Sequence, residues 1–111
     1  MTDRSFLGEF ELMVILAVLR LDTEAYAVPI REEIEKEARR SVARGALYTS
    51  LERMERKGLL ESRMGDPTPE RGGRARRYYS VSPMGVRAVQ QSQDALARLS
   101  KGLESVLGKS R

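Results

Sequence analysis

Neither cysteine nor histidine occurs in this 111-residue sequence. Without cysteine the chain forms no disulfide bond and performs no thiol chemistry, which fits a reducing cytoplasm. Without histidine a zinc site would depend on scattered carboxylates alone, so we expect no metal. The usual pairs of a nucleophile and a general base are missing for the same reason. We therefore expect no catalytic residues and no cofactor.

The sequence also lacks an apolar run long enough to span a membrane. Its longest uninterrupted apolar stretch covers residues 12–19, far short of the roughly 20 residues that a spanning helix needs. The first residues have neither the basic start nor the cleavage site of a signal peptide. The single GKS, at residues 108–110, lacks the glycine five positions earlier that a phosphate-binding loop requires. These absences favour a cytoplasmic protein without a membrane partner.

Charge is abundant, and it is unevenly distributed along the chain. Residues 1–38 carry 4 basic and 9 acidic side chains, residues 39–77 carry 11 and 5, and residues 78–111 carry 5 and 2. The resulting net charges of −5, +6 and +3 add to the overall +4. A basic middle segment predicts a polyanionic partner, although a solvated charged surface would have the same composition. At this length we expect one domain with a thin core that a partner subunit would help to stabilise.

The first predicted helix, residues 8–21, is apolar on almost every side. Glu9 and Glu11 occupy its first turn, where the helix dipole favours acids, and apolar residues fill nearly all later positions. A helix that is apolar all round is buried all round, so we expect one side to meet a partner subunit. A central helix within a single chain is the alternative. The candidate dimer contacts on this helix are Phe10, Val14 and Val18.

The last predicted helix begins at Ser82 and Pro83, which suit the N-cap and the first helical position. It is predicted to reach Leu107. An apolar repeat with alternating spacings of three and four runs along it, interrupted by Ser92, and indicates helix pairing between subunits. Folding back onto the first helix of the same chain is the alternative. The candidate dimer residues here are Val89, Leu96, Leu99, Leu103 and Val106.

A helix-turn-helix is predicted between these two helices. The second helix, residues 27–39, is crowded with glutamates and is therefore expected to support the fold rather than to contact a polyanion. The third helix, residues 44–57, has an inward stripe at a spacing of four and three residues, and it ends at a cation followed by glycine. The stripe consists of Leu47, Leu51 and Met54.

The outward face of the third helix is the expected DNA contact. A helix fits the major groove, and its N-terminal residues reach base edges. Gly45 lets the backbone approach closely, Tyr48 and Thr49 offer hydroxyls, and Arg44 and Arg53 offer cations. The alternatives are helix packing for Gly45 and partial core packing for Tyr48. The acids of this helix are expected to pair along it, namely Glu52 and Glu55 with Arg56 or Arg53.

Alternating residues at 60–64 and 77–81 predict two half-buried strands, separated by a turn-rich loop. Arginines in that region can bind phosphates bidentately or enter a narrow minor groove, although a flexible charged loop without a ligand is the alternative. The candidates are Arg71, Gly73, Arg74 and Arg76. The predicted fold is mainly α with a small β-hairpin (α+β). It is a winged helix-turn-helix DNA-binding domain in residues 1–81, with a C-terminal dimerisation helix in residues 82–111.

Four blocks of the sequence together resemble the PadR family of transcriptional regulators. They are LGEFELMVILAVL (7–19), EAYAVPIREEIE (24–35), SVARGALYTSLERMERKGLLESR (41–63) and PERGGRARRYYSVSPMG (69–85). The resemblance implies a cytoplasmic homodimer in which the last helix pairs with the first helix of the other subunit. It also implies binding to a roughly palindromic double-stranded DNA operator, usually for repression.

The resemblance also implies individual roles. Family DNA contacts match Tyr26, Arg44, Gly45, Tyr48 and Thr49, and the wing matches Gly73 and Arg74. Ser41 is a further candidate DNA contact. It is also expected to cap the third helix, because Ala43-Arg44 replaces the family's usual serine and proline. Some members bind flat aromatic drugs between tryptophans at the dimer centre, and this chain has no tryptophan.

Two other functions compete with a sequence-specific regulator. One is a protein-interaction module that uses the apolar helices, with an incidental basic face. The other is a regulator that senses a small hydrophobic or aromatic effector in a groove at the dimer interface. The second function adds to DNA binding rather than replacing it.

Overall fold

The computed structural model describes residues 7–66 and 75–108. Within these residues five helices and two strands follow one another, with a single 3-10 turn at Asp22–Glu24 between the first two helices. This order confirms the predicted class, mainly α with one hairpin. The elements are α1 Glu9–Leu21, α2 Ala27–Ala38, α3 Arg44–Arg56, β1 Leu60–Met64, β2 Arg77–Val81, α4 Pro83–Ser100 and α5 Glu104–Leu107.

The helix ends follow from local chemistry. At the start of α1 the Glu11 Oε1 atom accepts a hydrogen bond from the Gly8 N–H at 3.2 Å, which satisfies one of the free donors of the first turn. The last residue before the α2–α3 turn, Arg39, adopts the left-handed conformation with φ 55°. Helix α3 ends at Arg56 with Lys57 as its C-cap residue, and Gly58, which follows, has φ 84°, a conformation that favours glycine.

The two strands form an antiparallel hairpin that is anchored to the start of α2. Leu60 pairs with Val81 and Met64 with Arg77. The Tyr79 N–H donates to the Ala25 carbonyl at 2.8 Å, so β2 is also tied to the segment before α2. Leu60 and Tyr79 face inward and are buried, as the predicted alternation requires.

The core surrounds α1 and corrects part of the predicted dimer interface. Val14, Val18 and Val89 are 0%, 2% and 6% exposed within the single chain, so these three predictions as partner contacts are wrong. Each such buried side chain stabilises the fold by about 1.5–3 kcal/mol. They pack with side chains of every main helix and of the hairpin, including Ile15, Ile30, Ile34, Leu47, Leu51, Met54, Leu59 and Leu60.

The start of α4 is hydrogen-bonded to the segment between α3 and β1. The Ser82 hydroxyl accepts from the Gly85 N–H at 3.0 Å and lies 2.6 Å from the Gly58 carbonyl, to which it donates. The predicted cap is therefore confirmed. Gly85 is required because a Cβ there would collide with the Leu59 carbonyl and would lie 2.7 Å from Val81 Cγ1.

Helix α4 does not continue to Leu107 as predicted. It ends at Ser100, and Gly102 has φ 85°, a conformation that interrupts the helix before the short α5. The buried residues of α4 lie between Gly85 and Ser92, so only the later part projects from the core. No helix within the described ranges is long and apolar enough to cross a membrane.

Ser92 interrupts the apolar repeat of α4 for a structural reason. Its hydroxyl accepts from the Leu7 N–H at 3.0 Å and the residue is 5% exposed. The hydrogen bond ties the chain entering α1 to the middle of α4. A buried hydroxyl with such a partner avoids the cost of an unsatisfied polar group.

Candidate nucleic-acid interface

Helix α3 has an inward and an outward face, as predicted. Leu47, Leu51 and Met54 are at most 1% exposed and attach the helix to the core. The opposite residues are exposed, namely Arg44, Gly45, Tyr48 and Thr49. Tyr48 is half exposed, so core packing does not account for it. The N-terminal turns of α3 therefore offer a solvent-facing surface of the length that enters a major groove.

Gly45 lies on open surface. A Cβ placed on it would have no heavy atom within 4 Å, which excludes close helix packing as the reason for the glycine. Because glycine also weakens a helix relative to alanine, packing within the chain gives no reason to prefer it here. Close approach of an external backbone remains consistent with this position.

Arg53 occupies the edge of the α3 face rather than its centre. Its Nε lies 3.9 Å from Glu11 Oε2, and Lys57 Nζ donates to the same oxygen at 3.0 Å. Partial burial raises the pKa of Glu11, but the hydrogen bonds from Lys57 and Gly8 and the nearby positive charges outweigh it and lower the pKa overall. Arg53 thus helps to join α3 to α1.

Ser41 does not cap α3. The N-cap residue is Ala43, which has no side-chain cap hydrogen bond, and Ser41 is exposed. The turn is instead held by α2: Glu35 Oε2 accepts from the Val42 N–H at 2.9 Å, and Arg31 Nε donates to the Val42 carbonyl at 2.8 Å. Two charged side chains of α2 thereby hold the turn before α3 without capping the helix.

The prediction that Glu55 pairs along α3 is wrong. Its Oε2 accepts from the Ser62 hydroxyl at 2.7 Å, and that hydroxyl accepts from Arg77 Nη1 at 3.0 Å. The chain of hydrogen bonds connects α3 to both strands. It sets the distance between the outward face of α3 and the hairpin.

A stack of two tyrosine rings between two guanidinium groups lies at the base of the hairpin. Arg76 Cζ is 4.0 Å from the ring centre of Tyr26. The Tyr26 and Tyr78 rings meet edge to face with centroids 5.4 Å apart. Arg63 Cζ is 4.7 Å from the ring centre of Tyr78. The stack joins the N-cap residue of α2 to both strands.

An open groove of about 870 Å³ separates α3 from the hairpin. Tyr26, Tyr48 and Arg76 line it together with Glu52, so three predicted DNA contacts from three elements face one space. Arg77 adds a second cation and Glu55 a second acid. The groove therefore joins the exposed face of α3 to the start of the wing.

Two acids of α2, Glu33 and Glu37, are paired away from this groove. Arg20 Nε donates to Glu33 Oε2 and Arg20 Nη2 donates to Glu37 Oε2. The hydrogen bond from Arg20 lowers the pKa of the Glu33 carboxyl. These pairs hold the negative charge of α2 against α1, as expected for a supporting helix. Among the side chains that the structure describes, no group of acids is placed to hold a metal ion.

The comparisons with known proteins agree with this geometry. A family model described as the Transcriptional regulator PadR-like family matches residues 15–91. Transcriptional regulator Rv3488 of Mycobacterium tuberculosis is 35% identical over 82 residues, which are 72% of this chain and 70% of the relative. The chain belongs to the PadR-like family of transcriptional regulators.

Solved structures share the fold of this PadR-like regulator. A PadR-like transcription factor of Bacteroides fragilis is 28% identical, with a TM-score of 0.71 over 89% of this chain and 90% of the other. A PadR-like transcriptional regulator of Bacillus cereus has the same TM-score at 19% identity, over 91% and 93% of the two chains. The predicted resemblance and the winged-helix DNA-binding fold are thereby confirmed.

The structure of this PadR-like regulator brings some predicted residues together and leaves others apart. Tyr26, Tyr48 and Arg76 share one groove, with Arg44, Gly45 and Thr49 exposed on the adjoining helix. Arg71, Gly73 and Arg74 lie outside the described residues. The sequence interpretation missed Tyr78, Arg63 and Gly65. A signal for Tyr78 was present, because its strand position faces the opposite way from buried Tyr79.

Proposed function

We propose that this PadR-like regulator binds a double-stranded operator in the cytoplasm as a homodimer and represses transcription. The supporting observation is the exposed N-terminal half of α3 beside a groove that also holds Arg76 and Arg77. Helix α3 would enter the major groove of the DNA, and the hairpin would contact the neighbouring sugar-phosphate backbone. Repression requires only that the promoter be occupied.

Apolar surface on α1 and α4 supports the dimer. A groove of about 560 Å³ between these helices is lined by Leu7, Leu12, Leu96 and Leu99. Leu99 is 75% exposed, Val106 is 78% and Leu103 is 44%. A second copy would cover these side chains, because monomeric proteins rarely expose a contiguous apolar patch of this kind.

The remaining dimer candidates differ in position. Phe10 is partly buried, with Arg40 Cζ 5.9 Å from its ring centre, and it lies on the same helix as the groove residue Leu12. Leu96, Leu99, Leu103 and Val106 form the projecting part of the interface. The division into residues 1–81 and 82–111 stays a prediction, with the dimerising part of the second segment beginning after Ser92.

The DNA-binding proposal is tested by titrating a duplex that carries the protein's own promoter at several salt concentrations. Steep weakening with salt is expected, because each neutralised phosphate releases counterions. Arg44→Ala should weaken binding to all sequences, whereas Thr49→Ala should change sequence preference. Wild-type affinity that does not depend on salt would refute the proposed DNA-binding face. Wild-type affinity in both variants would refute it as well.

The dimer proposal is tested by Leu99→Asp, with Gln90→Asp as the matched control. The two residues are nine positions apart on α4, which turns them by about 180° around the helix. We expect Leu99→Asp to produce monomers in sedimentation equilibrium and to weaken operator binding, while Gln90→Asp stays dimeric. A dimer unchanged by Leu99→Asp would place the interface elsewhere.

The apolar groove between α1 and α4 also supports a second function, the sensing of a small hydrophobic or aromatic effector. Its volume is within the range of small-molecule sites. Titration of planar aromatic compounds against the operator complex should then release DNA. Leu96→Ala keeps the dimer surface apolar but shortens a side chain of the groove. Release from the wild-type complex that is much weaker for Leu96→Ala would assign the effector to this groove, and no release by any compound would remove the proposal.

A further inference from the structure

The stack at the hairpin base places the face of one arginine against a tyrosine ring. Arg76 is partly exposed, and its Cζ is 4.0 Å from the ring centre of Tyr26. At this distance the π-electrons attract the cation. The five N–H donors of a guanidinium lie in its plane. A ring on one face therefore restricts the orientation of the group and leaves edge donors for another acceptor.

The Tyr26 ring is itself held by the hairpin. Tyr78 on β2 packs edge to face against it with ring centroids 5.4 Å apart. Arg63 on β1 has its Cζ atom 4.7 Å from the ring centre of Tyr78. Aromatic pairs favour this arrangement over direct face-to-face contact. The two adjacent rings thus lie between two guanidinium groups, in the order Arg63, Tyr78, Tyr26 and Arg76. Four side chains from three elements restrain one another.

Gly65 makes room for the stack. A Cβ on Gly65 would lie 2.6 Å from Tyr78 Cε1, a separation that would force the ring to move. The Gly65 N–H also donates to the Arg76 carbonyl at 2.7 Å, which fixes the backbone of the arginine itself. A glycine at the end of β1 is therefore required for Tyr78 to reach Tyr26.

We propose that Tyr26 is a positioning residue whose ring holds Arg76 with its guanidinium edge toward a DNA phosphate at the groove between α3 and the hairpin. The proposal rests on the proposed DNA binding. It differs from the role implied by family resemblance, in which Tyr26 itself contacts DNA. In our proposal the ring is essential and the hydroxyl is dispensable.

The two roles predict opposite results for conservative variants. Tyr26→Phe keeps the ring and should bind the promoter duplex within about twofold of wild type. Tyr26→Leu should weaken binding about three- to tenfold, the range that a partly exposed cation–π contact supports. Arg76→Ala should weaken binding further and lower the slope of log affinity against log salt by about one. Fluorescence anisotropy at several salt concentrations measures all of these quantities.

A double-mutant cycle separates positioning from a general loss of structure. Because Tyr26 acts through Arg76, Tyr26→Leu should have little further effect in an Arg76→Ala background. The same substitution should retain its full effect in an Arg44→Ala background, which is the matched control. Gly65→Ala retains every charged and aromatic side chain but displaces Tyr78, and should weaken binding as Tyr26→Leu does. Thermal unfolding of each variant identifies those that have lost the fold.

Three results would overturn the proposal. A loss with Tyr26→Phe as large as that with Tyr26→Leu would assign the contact to the hydroxyl. Independent effects of Tyr26→Leu and Arg76→Ala would show that the ring does not act through the arginine. If Tyr26→Leu does not fold, wild-type affinity in Gly65→Ala would refute the stack. A wild-type protein that does not bind the duplex would instead overturn the proposed function together with the inference.

Discussion

Replacing Gly45 by alanine separates the stability of α3 from its contact with DNA. The added Cβ would have no heavy atom within 4 Å in the free protein, so the substitution introduces no clash. Alanine is favoured over glycine in a helix interior by about 0.5–1 kcal/mol. Gly45 is the second residue of α3, near the helix end, so we expect the lower value. A gain of about 0.5 kcal/mol raises the melting temperature by about 2 °C in a domain of this size.

The same methyl group should weaken DNA binding. If the first turn of α3 lies against the duplex, the Cβ of Gly45 occupies space that the nucleic acid requires. Forcing an extra methyl into a closely packed contact costs about 1–3 kcal/mol, which lowers affinity roughly fivefold or more. Stability and affinity should therefore change in opposite directions.

Thermal unfolding followed by circular dichroism, together with operator titration by anisotropy, measures both effects. Protein concentration must be equal in all samples, because dimerisation makes the melting temperature depend on concentration. Gly102→Ala is the matched control: a Cβ there also meets nothing, but φ is 85°, so alanine should destabilise rather than stabilise. A Gly45→Ala variant that is more stable and binds DNA like wild type would show that this turn does not approach DNA.

Three other predictions concern the supports of this surface. Ser82→Ala should lower the unfolding free energy by about 1–2 kcal/mol in denaturant titrations, because it removes the α4 cap; an unchanged midpoint would contradict the capping role. Gly85→Ala should cost about 1–3 kcal/mol in the same assay, because its Cβ meets the Leu59 carbonyl, and wild-type stability would refute that packing. The pKa of Glu11 is lowered in the folded state, so its ionised carboxylate stabilises the fold at pH values above the ordinary pKa of 4.5. This stabilisation is lost as pH falls through the lower folded-state pKa. Glu11→Gln should therefore flatten the acid side of the stability–pH profile, and a profile parallel to wild type would remove the assigned role.

Local patterns in the sequence were sufficient to place both strands, the first three helices and the start of the fourth. Ser82 and Pro83 begin α4, and Lys57 followed by Gly58 ends α3, because capping depends on residues adjacent in the chain. Alternation predicted both strands with the bounds that the structure has. The outward face of α3 was also predictable, since residues at helical spacing share one side.

The tertiary structure decided which apolar side chains are buried in the core of the chain and which stay exposed. A helix that is apolar on all sides does not reveal which side meets its own core, so Val14 and Val18 could not be separated from partner contacts by periodicity. The break of α4 depends on the left-handed backbone of Gly102, and glycine permits that conformation without requiring it.

The contacts that organise the candidate interface cross long distances in sequence. Tyr26 reaches Tyr78 and Arg76 only because β2 pairs with the segment before α2, and Glu55 turns to Ser62 because the hairpin lies beside α3. Local patterns determined the strands, most of the helix ends and the outward face of α3. The partners of the polar and aromatic side chains at the interface depended on how elements far apart in the sequence pack together. Short sequence patterns do not specify that packing.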